Sequence, residues 1–418
     1  MASIPTWREE IYKSQPRAAR RIPRSVEDLL TDDRILTNLI TRIYGHKEEE
    51  IASIAIQPLT PASDISGNLS DSGRLRLRVK LNSGQRESYN WFVKVQPEQH
   101  ENAKLMTELN LFKNEIEFYQ KVAPEIKSFV EQNTDGENVE FDIPELIHAD
   151  IEGEAAILIL EDLSSSGYKQ ERDEHGEKFL SLEKVLLSVE SIARIQAASH
   201  ALQVKRNINL GETHPTLEVA ALLWTNEEMM ARLETMRDYY CQVLRESQHK
   251  DSPALLERYR RAFNSPENLK ELCRLRQGGE DRESLISCLQ HGDFHFNNLM
   301  FREEAGRTRV KILDWQMAYT GRAGGDIAYL LMSSLSPAVY EAQEQVIKQK
   351  YFEEFNRTFL SLVQEGEQKV EKMLERDYKE SLPLGFFFSC GNVYQSEREK
   401  AVSFAYLLCN EAAHKNLI

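Results

Sequence analysis

Residues 291–316 read HGDFHFNNLMFREEAGRTRVKILDWQ, and this stretch decides how the rest of the sequence is interpreted. Asp293 and Asn298 stand five positions apart in the pattern H-G-D-x-x-x-x-N, and Asp314 follows the strand-like run 310–313. This arrangement is typical of the catalytic and metal-binding loops of kinases. The alternative is a polar turn followed by an ordinary strand, because short motifs also match by chance.

The residue types at these three positions suit phosphoryl transfer, in which the protein mainly positions the reactants and neutralises charge. We predict that Asp293 orients an attacking hydroxyl and accepts its proton. We predict that Asn298 and Asp314 supply the oxygen ligands that Mg²⁺ prefers. The expected cofactors are therefore ATP and Mg²⁺, with the metal neutralising charge on the triphosphate.

The composition is that of a globular enzyme of two or three domains, with 418 residues, 41% hydrophobic and 28% charged. A net charge of −15 argues against sequence-independent nucleic-acid binding, which needs a basic surface. No apolar run approaches the roughly 20 residues of a membrane span. Residues 1–24 lack the apolar core of a secretory signal. The five cysteines form no C-x-x-C, which favours reduced thiols and a cytoplasmic location.

The first part of the chain predicts a helix followed by a β-hairpin. Ser25 and Asp28 form a capping-box pattern before a helix that would end at Gly45. Residues 74–81 then alternate strictly between polar and apolar, residues 82–84 indicate a turn, and 89–95 give the returning strand.

Two features near this hairpin are candidate nucleotide contacts. The small, polar loop 66–73, with Gly67 and Ser70, could bring backbone N–H groups to phosphates, although a plain hairpin loop is an equal alternative. Lys94 lies within an apolar strand, where a kinase lysine contacts phosphates and pairs with a helix glutamate. Glu115 shares the apolar side of the predicted helix 111–119, and we favour it over Glu108 as that partner.

A change of polarity marks the predicted domain boundary. Residues 143–146 suggest an edge strand, and the buried strand 155–160 ends abruptly at Glu161, Asp162 and Leu163. Backbone groups of those three residues could contact an adenine. The predicted organisation has four parts: an N-terminal arm and helix (1–45), a nucleotide-binding lobe (46–160), a hinge (161–167) and a C-terminal lobe (168–418).

The chain beyond the hinge is mainly helical by pattern, with helices predicted over 182–202, 219–244, 254–263, 269–275, 327–335, 339–364, 370–379 and 400–410. The fold class is therefore α+β, with a small antiparallel-sheet lobe and a larger helical lobe. Only residues 315–325 separate Asp314 from Asp326, which is too short for a protein kinase's activation loop. The partner is then a small molecule with an alcohol group. We expect Asp326 to cap a helix and hold the catalytic loop.

Seven short segments together resemble the ecdysteroid kinase-like (CHK kinase-like) family, which is related to choline kinases and aminoglycoside phosphotransferases. They are LQHGD (289–293), NN (297–298), LDWQ (313–316), GDIAY (325–329), FxxExxFY (112–119) and LEDL with GY (160–163, 167–168). The resemblance spans about residues 50–380. It implies a bilobal protein-kinase-like fold and ATP-dependent phosphorylation of a hydroxyl on an ecdysteroid, another alcohol or a toxin.

The resemblance gives Lys94, Glu115, Asp293, Asn298 and Asp314 the roles argued above. The sequence departs from the family in a longer, more polar nucleotide loop and at Gln196, where members usually have histidine. Because of this difference the resemblance leaves the contact between that helix and the catalytic loop open, although it removes no catalytic group. The rival interpretation is a pseudokinase or lipophilic-ligand binding protein that keeps the fold without turnover.

Overall fold

The computed structural model describes residues 22–59, 71–96, 108–134, 141–153, 155–171, 179–222, 226–263, 286–363, 367–394 and 398–414, with 265, 267, 268, 270 and 271. These residues form two compact units. One comprises the described parts of 1–104 and 145–162, and the other comprises those of 105–144 and 163–418. The boundaries predicted from sequence for the four parts of the chain remain predictions.

The first unit is a five-stranded antiparallel sheet with two helices. The helices are α1 (Val26–Thr31) and α2 (Asp33–Tyr44), and the strands are β1 (Ile51–Leu59), β2 (Asp71–Leu81), β3 (Arg86–Val95), β4 (Leu146–Glu152) and β5 (Ala155–Glu161). The strand order is β1-β2-β3-β5-β4. The predicted hairpin is β2–β3, and its inward side chains Leu75, Leu77 and Val79 are almost fully buried in one hydrophobic core with apolar side chains of α1 and α2.

The helix predicted up to Gly45 is in fact two helices. The capping box of Ser25 and Asp28 begins α1 as predicted, but Asp32 adopts an extended conformation and caps α2 through the N–H groups of Arg34 and Ile35. Aspartate favours this position because its carboxylate satisfies the first unpaired N–H groups of a helix. Gly45 ends α2 with φ +77°.

The second unit is mainly helical. Its helices are α3 (Leu111–Glu117), α4 (Ala123–Asn133), α5 (Leu182–Arg206), α6 (Leu210–Thr213), α7 (Pro215–Leu222), α8 (Glu227–Glu246), α9 (Ser252–Phe263), α10 (Gly325–Ser334), α11 (Pro337–Val363), α12 (Glu367–Tyr394) and α13 (Arg398–His414). A π-helical turn, Phe118–Val122, joins α3 to α4. None of the helices in the described residues is long and apolar enough to cross a membrane.

Two short antiparallel ribbons interrupt the helices. Strand β6 (Ser287–Gln290) pairs with β9 (Tyr319–Arg322), and β7 (Leu299–Glu304) pairs with β8 (Arg307–Ile312). The strand predicted before Asp314 corresponds to β8, whereas the pairing of β6 with β9 was not predicted. The antiparallel sheet and the helical body confirm the predicted α+β fold class.

Several predicted elements have other limits in the structure. The edge strand predicted from Ile143 begins at Leu146, after Pro144, which has no N–H to donate to a ladder. The helix predicted over 219–244 is divided into α7 and α8. Most of the helix predicted over 269–275 lies outside the described residues.

Candidate active site

The β7–β8 hairpin brings two predicted site residues to the same end of one ribbon. Asn298 immediately precedes β7 and Asp314 lies two residues after β8, whose last residue Ile312 pairs with Leu299. The N–H of Leu313 donates to the carbonyl of Asn298 at 2.9 Å. Asn298 and Asp314 therefore both lie at the open end of this hairpin.

A buried carboxylate anchors the loop that carries Asp293. Asp326 lies in the first turn of α10 and is 2% exposed. Its two oxygens accept from the backbone N–H groups of His291 (2.7 Å) and Gly292 (3.0 Å). The predicted support of the catalytic loop is confirmed, but the helix cap is Gly324 and not Asp326. The carboxylate is directed to the loop instead.

The contact that the resemblance left open at Gln196 is present in the structure. The Nε2 of Gln196 donates to Asp326 Oδ2 at 2.9 Å, and the hydroxyl of Tyr351 donates to Gln196 Oε1. Gln196 is fully buried. An amide can donate a hydrogen bond as an imidazole does, so α5 remains connected to the catalytic loop.

His291 connects the catalytic loop to the residue before Asp314. The N–H of Asp293 donates to His291 Nδ1 at 3.1 Å, so the ring proton is on Nε2, which donates to the carbonyl of Leu313 at 2.6 Å. Burial lowers the pKa of His291 and outweighs the nearby carboxylates that raise it. A neutral imidazole therefore fixes the spacing of the two loops.

Asp293 and Asn298 are in direct contact. The Nδ2 of Asn298 donates to the backbone carbonyl of Asp293 at 2.7 Å and to its Oδ2 at 3.2 Å. The Asp293 side chain is 35% exposed, and His295 Nε2 lies 3.5 Å from Oδ2. Partial burial raises the pKa of Asp293, but the imidazole of His295 and the hydrogen bond from Asn298 outweigh it, so the pKa lies below its ordinary value. Asp293 is ionised at neutral pH.

The turn before Asp293 requires a glycine. Gly292 has φ +87°, a left-handed conformation that other residues rarely adopt. A Cβ atom on Gly292 would lie 2.2 Å from the backbone oxygen of Met317. The catalytic loop therefore packs directly against the segment that follows Asp314.

The remaining donor atoms fit a magnesium site. Because the amide nitrogen of Asn298 is bound to Asp293, its Oδ1 is the atom that can ligate a cation. Asp314 has φ +61°, and Gln316 Nε2 donates to its Oδ2 at 3.3 Å. In the described part of the chain no three His, Cys, Asp or Glu side chains gather as a metal cluster. Two oxygen ligands suit Mg²⁺, which commonly completes its coordination with phosphates and water.

Lys94 and Glu115 are both buried, with 8% and 1% of their surfaces exposed, whereas Glu108 is exposed. Lys94 lies on β3, a central strand of the sheet, opposite Ser72 and Leu158. Lys94 and Glu115 belong to different units, and their pairing and the preference for Glu115 over Glu108 stay predictions. Gly67 and Ser70 lie outside the described residues.

The predicted hinge residues already make contacts within the protein. Arg74 binds the Asp162 carboxylate through two hydrogen bonds of 2.8 and 3.0 Å, so this side chain supports the sheet. The N–H of Glu161 donates to the carbonyl of Glu145, and the Leu163 carbonyl accepts from two N–H groups of the following turn. The predicted adenine contacts therefore rest on the other backbone groups of these three residues.

The structure adds three residues to the site. His295 contacts Asp293, Gln316 contacts Asp314, and Asn114 of α3 donates to the backbone just beyond Asp314. One sequence signal points to Asn114: it lies three positions after Leu111 and four before Phe118, on the apolar stripe of its helix. A polar residue on such a stripe needs a buried partner.

Three solved structures resemble the chain at low identity. An aminopropanol kinase associated with a microcompartment is 13% identical, with 93% of this chain and 99% of that chain covered and a TM-score of 0.36. An ethanolamine kinase from Plasmodium vivax is 12% identical (100% and 98% covered, TM-score 0.38). The GDP and kanamycin complex of APH(2")-IIia is 13% identical (91% and 98% covered, TM-score 0.36). Likeness at this level says nothing about what this chain binds.

The family comparison is more informative. No curated protein matches this chain. The Ecdysteroid kinase-like family, in contrast, matches residues 69–364, which include α3, the catalytic loop, Asp314 and Asp326. This match covers well over half of the sequence and agrees with the motifs on which the resemblance rested. The chain belongs to the Ecdysteroid kinase-like family.

Proposed function

We propose that this protein is a phosphotransferase that uses Mg²⁺ and ATP to phosphorylate a hydroxyl group of a small molecule. The observation that carries the proposal is the joint placement of Asp293, Asn298 and Asp314 by one β-hairpin and one anchored loop. Positioning of this kind is the main contribution of a protein to phosphoryl transfer. Membership of a kinase-like family supports the same conclusion.

In this proposal Asp293 binds and orients the acceptor hydroxyl. Its partly exposed carboxylate is ionised, and it can accept the hydroxyl proton. A carboxylate with a lowered pKa is a weak base, which suits a loose transition state in which proton removal lags behind bond cleavage to the leaving group. The contact from Asn298 keeps the carboxylate in one orientation.

Asn298 and Asp314 are the proposed metal ligands, through Asn298 Oδ1 and the Asp314 carboxylate. Bound Mg²⁺ would neutralise charge on the phosphates during transfer. Lys94 is proposed to contact the phosphates, with Glu115 holding its ammonium group. The remaining proposed nucleotide contacts are made by Gly67 and Ser70 and by the backbone at Glu161, Asp162 and Leu163.

The length of chain after Asp314 supports a small acceptor. The segment contains a 3₁₀ turn (Trp315–Met317) and β9, and α10 begins at Gly325. A protein kinase needs a longer activation loop there as a platform for its peptide. We therefore propose a small alcohol as acceptor, with ecdysteroids and other sterol-like alcohols first among the candidates because of the family.

The four described cysteines, all buried and without disulfides, support a reducing compartment. We propose that the reaction takes place in the cytoplasm. Fractionation of cells that produce the protein would test this location.

Acceptor-dependent release of ADP tests the proposed function. The purified protein is incubated with Mg-ATP and a panel containing an ecdysteroid, a sterol, choline and a polyol, each with and without EDTA. We expect at least one alcohol to raise ADP release in a Mg²⁺-dependent manner, with a phosphate ester as the second product. A protein that binds these alcohols yet releases no ADP would support the rival, a ligand-binding pseudokinase.

A further inference from the structure

The side chain of Asn114 reaches from α3 to the segment that follows Asp314. Asn114 is fully buried, and its Nδ2 donates to the backbone carbonyls of Gln316 at 3.0 Å and Ala318 at 2.7 Å. An amide nitrogen carries two hydrogens, so both donors are used. The reverse orientation would set the amide oxygen against two carbonyl oxygens, and the contacts therefore fix the side chain in one orientation.

A second contact joins the same two segments. The ring of Phe118, at the start of the π-helical turn, stacks on Trp315 with centroids 4.2 Å apart and planes 5° from parallel. Trp315 is fully buried and its Nε1 donates to the carbonyl of Ile312 at 3.2 Å. The segment after Asp314 is thus held by the π-helical turn at Trp315 and by α3 at Gln316 and Ala318.

The held segment contains a backbone conformation that needs support. Asp314 has φ +61°, which is uncommon for a residue with a Cβ atom. Such conformations persist where the surrounding structure fixes them, and they concentrate at functional sites. Leu313 is fixed on one side of Asp314 by His291 and Asn298, and α3 fixes the other side.

Gln316 connects this anchor to the proposed metal ligand. Its carbonyl accepts from Asn114, and its side-chain Nε2 donates to Asp314 Oδ2. Three residues therefore form one hydrogen-bonded chain from α3 to the carboxylate. A donor on one oxygen of a ligating carboxylate sets its orientation and leaves the other oxygen for the cation.

The chemistry of Asn114 is not what stability alone would favour. Its Oδ1 is buried and has no hydrogen-bond partner among the described residues. A buried polar atom without a partner is costly, and in native structures it calls for an explanation. The two donated bonds to the segment beyond Asp314 supply one.

We propose that Asn114 is a positioning residue for the metal site: through Gln316 it holds the Asp314 carboxylate in the orientation that binds Mg²⁺ with the nucleotide. This inference rests on the proposed function. It differs from the predicted role of the neighbouring Glu115, which concerns Lys94 and the phosphates. Asn114 contacts neither the nucleotide nor the metal in this account.

Asn114→Leu tests the proposal, because leucine has a similar size and no donor. The matched control is Gln203→Met. Gln203 is also a buried amide that donates to two backbone carbonyls, those of Ser199 and Ser287. Ser287 is the first residue of β6, so these contacts do not involve the segment after Asp314. ATP binding is measured by calorimetry over a series of Mg²⁺ concentrations. Hydrogen exchange of residues 314–320 is measured in the ligand-free proteins.

We expect Asn114→Leu to raise the Mg²⁺ concentration for half-maximal ATP binding roughly tenfold or more, as loss of a group behind a metal ligand does. Exchange over 314–320 should be faster. Gln203→Met should change neither the Mg²⁺ dependence of ATP binding nor the exchange over 314–320, even if it lowers the thermal stability as much as Asn114→Leu does. If Asn114→Leu does not fold, Gln316→Met, which removes the donor to Asp314 and keeps the backbone carbonyl, should give the same Mg²⁺ shift.

Each outcome has a definite meaning. An unchanged Mg²⁺ dependence in Asn114→Leu or in Gln316→Met, with wild type binding Mg-ATP normally, overturns the positioning role and leaves the proposed function intact. Equal shifts of the Mg²⁺ dependence in Asn114→Leu and Gln203→Met would mean that general destabilisation causes the effect, and would also overturn the positioning role. A wild-type protein that binds no Mg-ATP overturns the proposed function and this inference together.

Discussion

Asp293→Asn should lower turnover at least about a hundredfold, the lower limit for loss of a general base, while Mg-ATP binding stays near that of wild type. Asparagine keeps the shape of the side chain and cannot accept the hydroxyl proton. The backbone carbonyl that receives the Asn298 amide is retained, so the loop should keep its conformation. Steady-state ADP release with the best acceptor, together with nucleotide calorimetry, measures both quantities.

The control for this variant is Asp238→Asn on α8, where the same chemical change is made on a side chain that is 71% exposed. It should leave turnover and stability close to those of wild type. Full turnover in Asp293→Asn would contradict the role assigned to the carboxylate. Equal losses of turnover and ATP binding would mean that Asp293 acts in binding and not in transfer.

Asp326→Ala should cause the largest loss of stability among single changes near the site. Its carboxylate accepts three hydrogen bonds, from the N–H groups of His291 and Gly292 and from Gln196. Alanine would leave these buried donors unpaired, at about 1–3 kcal/mol each, so the free energy of unfolding should fall by about 3 kcal/mol or more. Urea denaturation followed by circular dichroism measures the change.

Ser389→Ala gives a scale for this result. The buried hydroxyl of Ser389 donates one hydrogen bond to the carbonyl of Gly385 within α12. Its loss should cost about 1 kcal/mol. If Asp326→Ala cost no more than Ser389→Ala, the carboxylate would not be the anchor of the catalytic loop.

Local patterns were sufficient for much of the fold. The strict alternation over residues 74–81 identified β2, because side chains on a strand face opposite sides in turn. The H-G-D-x-x-x-x-N motif and the strand before Asp314 predicted three site residues, and the structure places them on one short hairpin and on the loop before it. A single local hairpin is enough to bring the two ends of this stretch together.

Contacts between distant segments could not be predicted in this way. Asn114 and Gln316 are 202 positions apart, and no local pattern states that α3 packs beside Asp314. Strands β6 and β9 have four residues each, too few for a period-two signal, so their pairing emerges only in the structure. The break between α1 and α2 was not predicted, because the apolar residues keep helical spacing on both sides of Asp32. The structure ends one helix there because the Asp32 side chain caps the next.

Calorimetric titration of Mg-ATP into the wild-type protein and into Asp314→Ala tests whether the proposed metal and nucleotide site exists, with Asp238→Ala as the control. We expect wild type and the control to bind Mg-ATP and Asp314→Ala to bind it weakly or not at all, because one of the two proposed metal ligands is gone. Equal binding by Asp314→Ala and wild type would contradict the metal site. No binding by wild type would contradict the account as a whole and would favour a ligand-binding protein that keeps a kinase fold.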